Sequence, residues 1–215
     1  MADHGILFSA PMVRALLAGT KTQTRRVLNP QPGDDGRYHD LKSAYRALRI
    51  APGDRLLVRE SYFQFGHWEP VPGEVTRNGG RQKWRFIPDN EAVRFDPPSA
   101  YRKGRHAGDP ATPAWHQRLG RFMPRRYSRL TLLVTDRRVQ RVRDISEEDA
   151  VAEGVAPFRD SGSYISPKHP DGKWRAGDNA YTMYRDLWNA INGAGSWDAN
   201  PWCVAYTFAI VEGER

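Results

Sequence analysis

The sequence predicts an α+β fold: a small β-barrel with flanking helices and long loop insertions. The main observation is the order of the hydrophobic patterns, which runs strand, helix, strands, helix, helix, strand. The second is the length, because 215 residues exceed one typical domain and fall short of two large ones. We therefore expect a single domain over residues 1–215, enlarged by insertions. The 16 prolines and 19 glycines indicate many loops.

The N-terminal part predicts a strand, a helix and a second strand. Residues 5–8 (GILF) are apolar and short enough for a buried strand. Ser9 provides an N-cap for the helix that follows, and Gly19 is a typical helix end. Residues 53–62 (GDRLLVRESY) predict a turn and then a strand.

The C-terminal part contains the remaining regular elements. Residues 129–143 alternate as a strand until the phase changes near Asp136, which indicates a bulge or a turn. Ser146 and the three acids after it begin a short helix, since acids are favourable in a first turn. Residues 181–192 have the spacing of an amphipathic helix, and residues 202–211 form a β-branched and aromatic strand.

Two stretches read as insertions. Residues 63–118 contain a Pro-Pro pair, a Gly-Gly pair and several tryptophans without clean periodicity. We interpret them as a long insertion and not as a core element. Residues 157–180 are polar and rich in glycine and proline, which favours a loop.

Positive charge is concentrated in one stretch. The net charge is +8, and residues 118–143 contain nine arginines and the single acid Asp136, so this stretch alone nets +8. Arginine forms bidentate contacts with phosphate, so we predict that nucleic acid binds there through Arg137, Arg138 and Arg141. The alternative is a solvated strand face that keeps the protein soluble.

Several familiar chemistries are excluded by missing motifs. The single cysteine, Cys203, rules out an internal disulfide and a cysteine-based zinc site. The six histidines show no metal-ligand pairing, and phosphate-loop, dinucleotide and nucleophile-elbow motifs are absent. We therefore predict no metal and no cofactor. No apolar run is long enough to span a bilayer, so we expect a cytoplasmic protein without membrane contact, with a monomer favoured.

The segment Gly19-Thr20-Lys21-Thr22-Gln23-Thr24-Arg25-Arg26 offers candidate chemistry. A buried lysine loses its proton more readily and can then deprotonate a hydroxyl nucleophile. If the segment leaves the helix extended, Lys21 and Thr24 lie on opposite faces; if it turns once more, they share a face. A purely structural interpretation also fits, because basic residues are favourable after a helix end.

This segment resembles the signature G-x-K-x-x-[ET]-x-R of the ASCH domain family, which belongs to the PUA-like superfamily. Gly19, Lys21, Thr24 and Arg26 match the signature, with threonine at the sixth place. The strings PGDRLLVRE, RLTLLVTDRRVQRVRDISEEDAVAEGV and SWDANPWCVAYTF resemble a branch associated with bacteriophages and prophages. The resemblance covers residues 4–62, 119–156 and 181–212, and it implies the PUA-like fold.

With threonine at the sixth place of the signature, the sequence is similar to ASCH enzymes that act as N4-acetylcytidine amidohydrolases. The resemblance implies Lys21 as base, Thr24 as nucleophile and Glu153 as acid, with Arg26 in substrate binding and no cofactor. Phe8 is a candidate for stacking on the base. The partner is then a cytidine-type nucleoside or a nucleic acid. Two alternatives stay open: a PUA-like module that binds RNA, DNA or a modified base without chemistry, and an ASCH-type ribonuclease.

Glu153 is placed unfavourably for stability, in the last turn of its predicted helix. The helix dipole and burial together raise the pKa of a carboxyl at such a site, which suits a general acid. An exposed glutamate tolerated on a surface helix is the alternative. Because Lys21, Thr24 and Glu153 belong to no apolar stripe, we expect their substitution to leave the fold intact.

Overall fold

The computed structural model describes residues 1–77, 79–106, 108–158, 162–167, 169, 171 and 173–211. By its internal contacts the chain divides into two compact units. The first unit contains Met1–Ile6, Pro11–Val58 and the chain from Arg129 onward, and the second contains Leu7–Ala10 and Arg59–Ser128.

The described elements are mixed helices and strands, which confirms the α+β class. In chain order they are β1 (Asp3–Leu7), α1 (Ala10–Leu17), β2 (Gln23–Val27), α2 (Leu41–Ala47), β3 (Arg55–Arg59), β4 (Tyr62–Val75), β5 (Gln82–Arg94), β6 (Arg102–Lys103), β7 (Ala114–Arg118), β8 (Thr131–Arg141), α3 (Glu147–Ala152), β9 (Ala156–Phe158), β10 (Ser163–Ile165), β11 (Ala176–Gly177), α4 (Ala180–Asn192) and β12 (Trp202–Val211). Short 3-10 turns cover Gly120–Phe122, Arg125–Tyr127 and Val142–Asp144.

The first unit is built on a five-stranded sheet in the order β1-β3-β8-β12-β2. The central pair β8 and β12 is antiparallel, and β2 pairs antiparallel with β12 at the sheet edge. The register of β8 against β12 shifts between Thr207 and Phe208, opposite Asp136 and Val134. This bulge decides between the two interpretations of the phase change near Asp136, since β8 continues past it as a strand.

Helix ends follow the sequence signals. The Ser146 hydroxyl accepts a hydrogen bond from the Asp149 N–H at 3.1 Å and caps α3. Gly19 ends the first helical segment with a positive φ of 71°. Helix α4 buries Leu187 and Trp188 as its spacing predicts, whereas Ile191 is 47% exposed because it lies in the last turn.

The second unit contains a four-stranded sheet in the order β5-β4-β7-β6. Strands β4 and β5 form a long antiparallel hairpin, β4 also pairs antiparallel with β7, and β6 runs parallel to β7. The predicted insertion 63–118 falls inside this unit. It was missed as regular structure because register shifts between Gln64 and Gly66, and between Pro70 and Val75, interrupt the alternation.

Two further expectations need correction. None of the three sheets closes into a barrel within the described residues, because β1 and β2 remain the open edges of the largest sheet. The stretch 157–180 was expected to be loop, yet β9, β10 and β11 pair there as a small antiparallel sheet. Residues 159–161, 168, 170 and 172 of that stretch lie outside the described residues. Helices in the described part of the chain are too short or too polar to cross a membrane.

Gly66 allows the close approach of β4 and β5. A Cβ added there would lie 2.2 Å from the Ile87 carbonyl oxygen and 2.8 Å from the Phe86 ring. We expect Gly66→Ala to lower the free energy of unfolding by about 1–3 kcal/mol, because the strands must separate. Gly108→Ala is the matched control, since its Cβ would meet only His106 at 3.9 Å. Chemical denaturation of both variants checks this, and equal stabilities would contradict the hairpin packing.

Candidate active site

Lys21 is positioned by the end of α1. The Thr20 N–H donates to the Ala15 carbonyl at 2.9 Å, and the Lys21 N–H donates to the same carbonyl at 3.2 Å. These bonds, with Gly19 in the left-handed region, turn the chain out of the helix and into β2. Thr22 then joins the sheet, since its carbonyl accepts from the Phe208 N–H at 3.0 Å. The segment therefore leaves the helix extended.

Glu153 meets Lys21 from the C-terminal end of α3. Lys21 Nζ donates to Glu153 Oε2 at 2.8 Å and to the Glu153 backbone carbonyl at 2.7 Å. The side chains are 1% and 4% exposed, so the ion pair is shielded from water. Gly154 follows with a φ of 104°, and a Cβ there would lie 3.6 Å from Lys21 Cβ. The positive φ favours glycine at this turn, whereas the contact with Lys21 would leave room for a Cβ.

A wider network of charged groups surrounds this pair. Arg25 Nη2 donates to Asp149 Oδ2 at 2.6 Å and its Nη1 to Glu153 Oε1 at 3.4 Å. Arg25 also contacts the Gln23 side-chain oxygen. Asp149 accepts further bonds from Gln23 at 3.0 Å and Arg138 at 2.8 Å. Burial favours a raised pKa at Asp149, but the bonds from Arg138, Gln23 and Arg25 outweigh it and lower that pKa.

The surroundings of Lys21 favour its neutral form more than water does. Burial lowers the pKa of Lys21 from its ordinary value, and the Glu153 carboxylate opposes this shift only in part. The positive charges of Arg26 and Arg25 lower the pKa of Lys21 further. Cys203 on β12 is not a competing nucleophile, because burial raises the pKa of its thiol to about 12.

Thr24 and Arg26 lie on the other face of β2 from Gln23 and Arg25. Side chains alternate along a strand, and the contacts of Gln23 and Arg25 with Asp149 show which face turns toward α3. Thr24 is buried at 4% exposure and pairs with Tyr206 of β12. Lys21 donates to Glu153 and makes no hydrogen bond to Thr24, as far as the described residues go.

Phe8 and the arginines predicted to bind nucleic acid have hydrogen-bond partners outside the buried ion pair. Phe8 is buried within the second unit, where its N–H donates to the Arg59 carbonyl at 2.9 Å. The arginines predicted to bind nucleic acid do not all share one face of β8, because Arg138 points away from the face that carries Arg137 and Arg141. Arg137 donates to the carbonyls of Leu48 and Ile50 at 2.8 and 2.9 Å.

The remaining arginines of that group also have partners in the chain. Arg138 contacts Asp149, and Arg141 donates to the Asn200 carbonyl at 3.1 Å. Arg141 also lies 4.5 Å from the centre of the Trp202 ring. Arg137, Arg138 and Arg141 thus each contact other parts of the chain. Their role in nucleic-acid binding stays a prediction.

Arg25 and Asp149 are the site residues that sequence reasoning missed. The sequence predicts Asp149 only as an acid in the first turn of α3, and Arg25 only as a basic residue after a helix. The alternation of β2 carries a usable signal, since an extended segment places Lys21, Gln23 and Arg25 on one face. The partner element α3, about 125 residues later, cannot be found from that pattern.

A groove of about 670 Å³ is lined in part by sequence neighbours of Lys21 and Glu153. Its lining is mostly apolar and includes Ala15, Ala18, Thr20, Gly154 and Trp174. Thr20 and Gly154 are the chain neighbours of Lys21 and Glu153. No cluster of three metal-ligating side chains exists among the residues that the structure describes.

Comparison of the chain with protein-family models, with curated proteins and with solved structures finds no match.

The buried pair predicts an unusual stability pattern, which differs from the expectation that the site variants leave the fold unaffected. We expect Lys21→Met to cost about 3–5 kcal/mol of unfolding free energy, because Glu153 loses its closest buried partner. The double variant Lys21→Met/Glu153→Leu should recover part of that loss, since neither charge is then left buried alone.

Chemical denaturation measures these free energies. The exposed pair Lys83–Glu74, with side chains 53% and 52% exposed, is the control. Lys83→Met should change stability little, as surface ion pairs contribute about 0–1 kcal/mol. Equal losses for Lys21→Met and Lys83→Met would show that the Lys21 pair is not held as described.

Proposed function

We propose that the protein is an amidohydrolase that removes an acyl group from the exocyclic N4 of cytidine-type nucleosides or bases. The observation that carries the proposal is the buried contact of 2.8 Å between Lys21 Nζ and Glu153 Oε2, beside the strand that holds Thr24. A lysine of lowered pKa next to a carboxyl group supplies a base and an acid at one place. The resemblance to the ASCH enzymes supplies the substrate class.

In the proposed reaction, neutral Lys21 takes the hydroxyl proton of Thr24, and the hydroxyl oxygen attacks the acyl carbonyl carbon. The bond between that carbon and N4 then breaks, and Glu153 gives its proton to the departing amine. Water hydrolyses the acyl ester on Thr24 and releases the carboxylic acid. Backbone N–H groups or Arg26 stabilise the oxyanion.

The short Lys21–Glu153 contact supports the proton balance of this cycle. After the first step Lys21 carries the proton of Thr24, and after the second step Glu153 lacks one. A direct hydrogen bond of 2.8 Å lets the proton pass from Nζ to the carboxylate. Both groups then return to their starting forms.

The reaction requires Thr24 Oγ1 within about 3 Å of Lys21 Nζ, so Lys21 must exchange a bond to Glu153 for one to Thr24. Arg26 supports such an approach. It lies on the Thr24 face of β2, yet its charge is close enough to lower the pKa of Lys21. Lys21 precedes β2 and is within electrostatic reach of both Arg25 and Arg26, which lie on opposite faces of that strand.

Membership of the ASCH family, with its PUA-like fold, is part of the same proposal. The Gly19-to-Arg26 signature supports it, as does a five-stranded sheet accompanied by α1, α3 and α4. Site residues and substrate class depend on this membership. Fold analogy alone does not establish the reaction.

A base-binding module without chemistry is the second candidate. The specific observation in its favour is that β2 directs Thr24 to the face opposite Arg25, while Lys21 donates to Glu153. In that case the buried ion pair holds β2 against α3 and performs no proton transfer. Substitution of Thr24 distinguishes the two candidates.

We expect Thr24→Ser to retain measurable release of cytidine from N4-acetylcytidine, because serine keeps the hydroxyl. Thr24→Val should abolish it, since valine keeps the β-branched shape without a nucleophile. Lys21→Arg should be close to inactive because a guanidinium does not act as a base. Glu153→Gln should lose about 100-fold or more as a general acid. Chromatography of the released cytidine measures all four.

Thermal melting of each variant separates loss of chemistry from loss of fold. Thr24→Val and Thr24→Ser are the matched pair, because each differs from threonine in a single group: valine has a methyl group in place of the hydroxyl, and serine lacks the methyl group. If Thr24→Val releases cytidine as fast as the parent protein, Thr24 is not the nucleophile. If the parent protein binds N4-acetylcytidine and releases none, the base-binding module is the better description.

The pH profile tests Lys21 separately. We expect a bell-shaped dependence of kcat/KM on pH, because the reaction needs neutral Lys21 and protonated Glu153 together. The limb that Lys21 sets should have a midpoint below 10.5, the ordinary pKa of lysine. Arg26→Gln removes a positive charge that lowers the pKa of Lys21, so the midpoint should move upward. Thr24→Ser is the control and should keep the parent midpoint. A midpoint at or above 10.5 in the parent protein would exclude Lys21 as a base of lowered pKa.

A further inference from the structure

Most of the net positive charge of the chain lies in the second unit. Residues 59–128 contain 13 arginines and lysines against 7 acids, a net charge of +6 out of the total of +8. Residues 7–10 add no charge. Excess positive charge of this size on about 70 residues attracts polyanions.

Aromatic rings and arginines alternate on one face of the four-stranded sheet. The register pairs Trp68 with Phe86 and Pro70 with Trp84, so the three rings share a face. Arg118 belongs to the same face, because Tyr62 is its partner in the register and even-numbered residues of β4 point to one side. We call this surface the aromatic–arginine face.

The arginines of this face lie over the rings. Arg105 is 4.3 Å from the centre of the Trp84 ring, and Arg118 is 4.3 Å from that of Phe86 and 5.0 Å from that of Trp68. The rings of Trp68 and Phe86 are 5.5 Å apart in an edge-on arrangement. Trp84 and Phe86 are half-buried, and Arg105 is exposed, so part of the arrangement is open to solvent.

Most acidic residues of the second unit form ion pairs with basic residues other than Arg105 and Arg118. Ion pairs join Lys83 to Glu74, Arg85 to Glu69, Arg102 to Asp109 and Arg126 to Glu91. Arg105 and Arg118 instead contact aromatic rings. A guanidinium over an indole keeps its charge available to a phosphate, and both groups offer flat surfaces to a base.

We propose that the aromatic–arginine face binds single-stranded nucleic acid, with bases stacking on Trp84 and its neighbours and phosphates contacting Arg105 and Arg118. RNA-recognition modules with a four-stranded sheet bind unpaired bases by stacking them on aromatic rings of one sheet face. Stacking on the rings requires unpaired bases, whereas a duplex keeps its bases stacked on one another. This inference does not depend on the amidohydrolase proposal, since its residues lie apart from Lys21, Thr24 and Glu153 in the sequence and belong to the other unit.

The test is fluorescence anisotropy of the full chain with a labelled 20-nucleotide oligouridylate and with a duplex of the same length, at about 50 and 200 mM salt. We expect the single strand to bind more tightly than the duplex, and its affinity to fall steeply with salt. Trp84→Ala should weaken binding of the single strand about five-fold or more, since stacking is lost. Trp84→Phe should restore most of it.

Arg105→Gln should lower the slope of log affinity against log salt by about one, as expected for one lost phosphate contact. Arg94→Gln is the matched control. Arg94 also lies over a ring, 4.9 Å from the centre of Trp115, but on the opposite face of the sheet. Tyr45→Ala removes an aromatic ring that is 78% exposed in the first unit and should have no effect.

Absence of binding at about 50 mM salt would overturn the proposal. Equal affinity of the parent protein and Trp84→Ala would overturn it too, because binding would then be electrostatic only. An Arg94→Gln effect as large as that of Arg105→Gln would assign binding away from this face. Hydrolysis of free N4-acetylcytidine by Trp84→Ala should match that by the parent protein, so failure of either proposal is recognised independently.

Discussion

The buried ion pair between Lys21 and Glu153 is the interaction on which the arrangement of the first unit depends. Removing two charges from water is costly, and the hydrogen bonds of Lys21 to both the carboxylate and the backbone carbonyl offset that cost. The pair joins the start of the edge strand β2 to the end of α3. The contact between Arg25 and Asp149 joins β2 to α3 a second time. The edge of the sheet is therefore fixed by charge and not by apolar packing alone.

The same pair sets the chemistry available at the site. Burial favours neutral Lys21, and the neighbouring carboxylate favours its charged form. In the proposed reaction, the direct hydrogen bond between Lys21 Nζ and Glu153 Oε2 is the path by which the proton returns from the base to the acid. The extended conformation of β2 then becomes decisive, because it determines how far the Thr24 hydroxyl is from this pair.

Charge is divided unequally between the two units. The sequence concentrates arginine in residues 118–143, but Arg137 and Arg141 of the first unit contact backbone carbonyls. In the second unit, Arg105 and Arg118 lie over aromatic rings instead. A count of charge along the chain cannot separate these cases, because it contains no information on which face of a strand an arginine occupies or what lies opposite.

The sequence by itself determined the elements whose signals are local: the cap of α3 at Ser146, the end of α1 at Gly19 and the β-branched and aromatic strand β12. These depend on hydrogen bonds and periodicity within a few residues. Through the resemblance, the sequence also proposed Lys21 and Glu153 as members of one site. Only the tertiary structure decided that these two side chains meet, that Thr24 faces the other way, and that the sheets stay open. Such contacts join residues more than a hundred positions apart, where no local periodicity reaches.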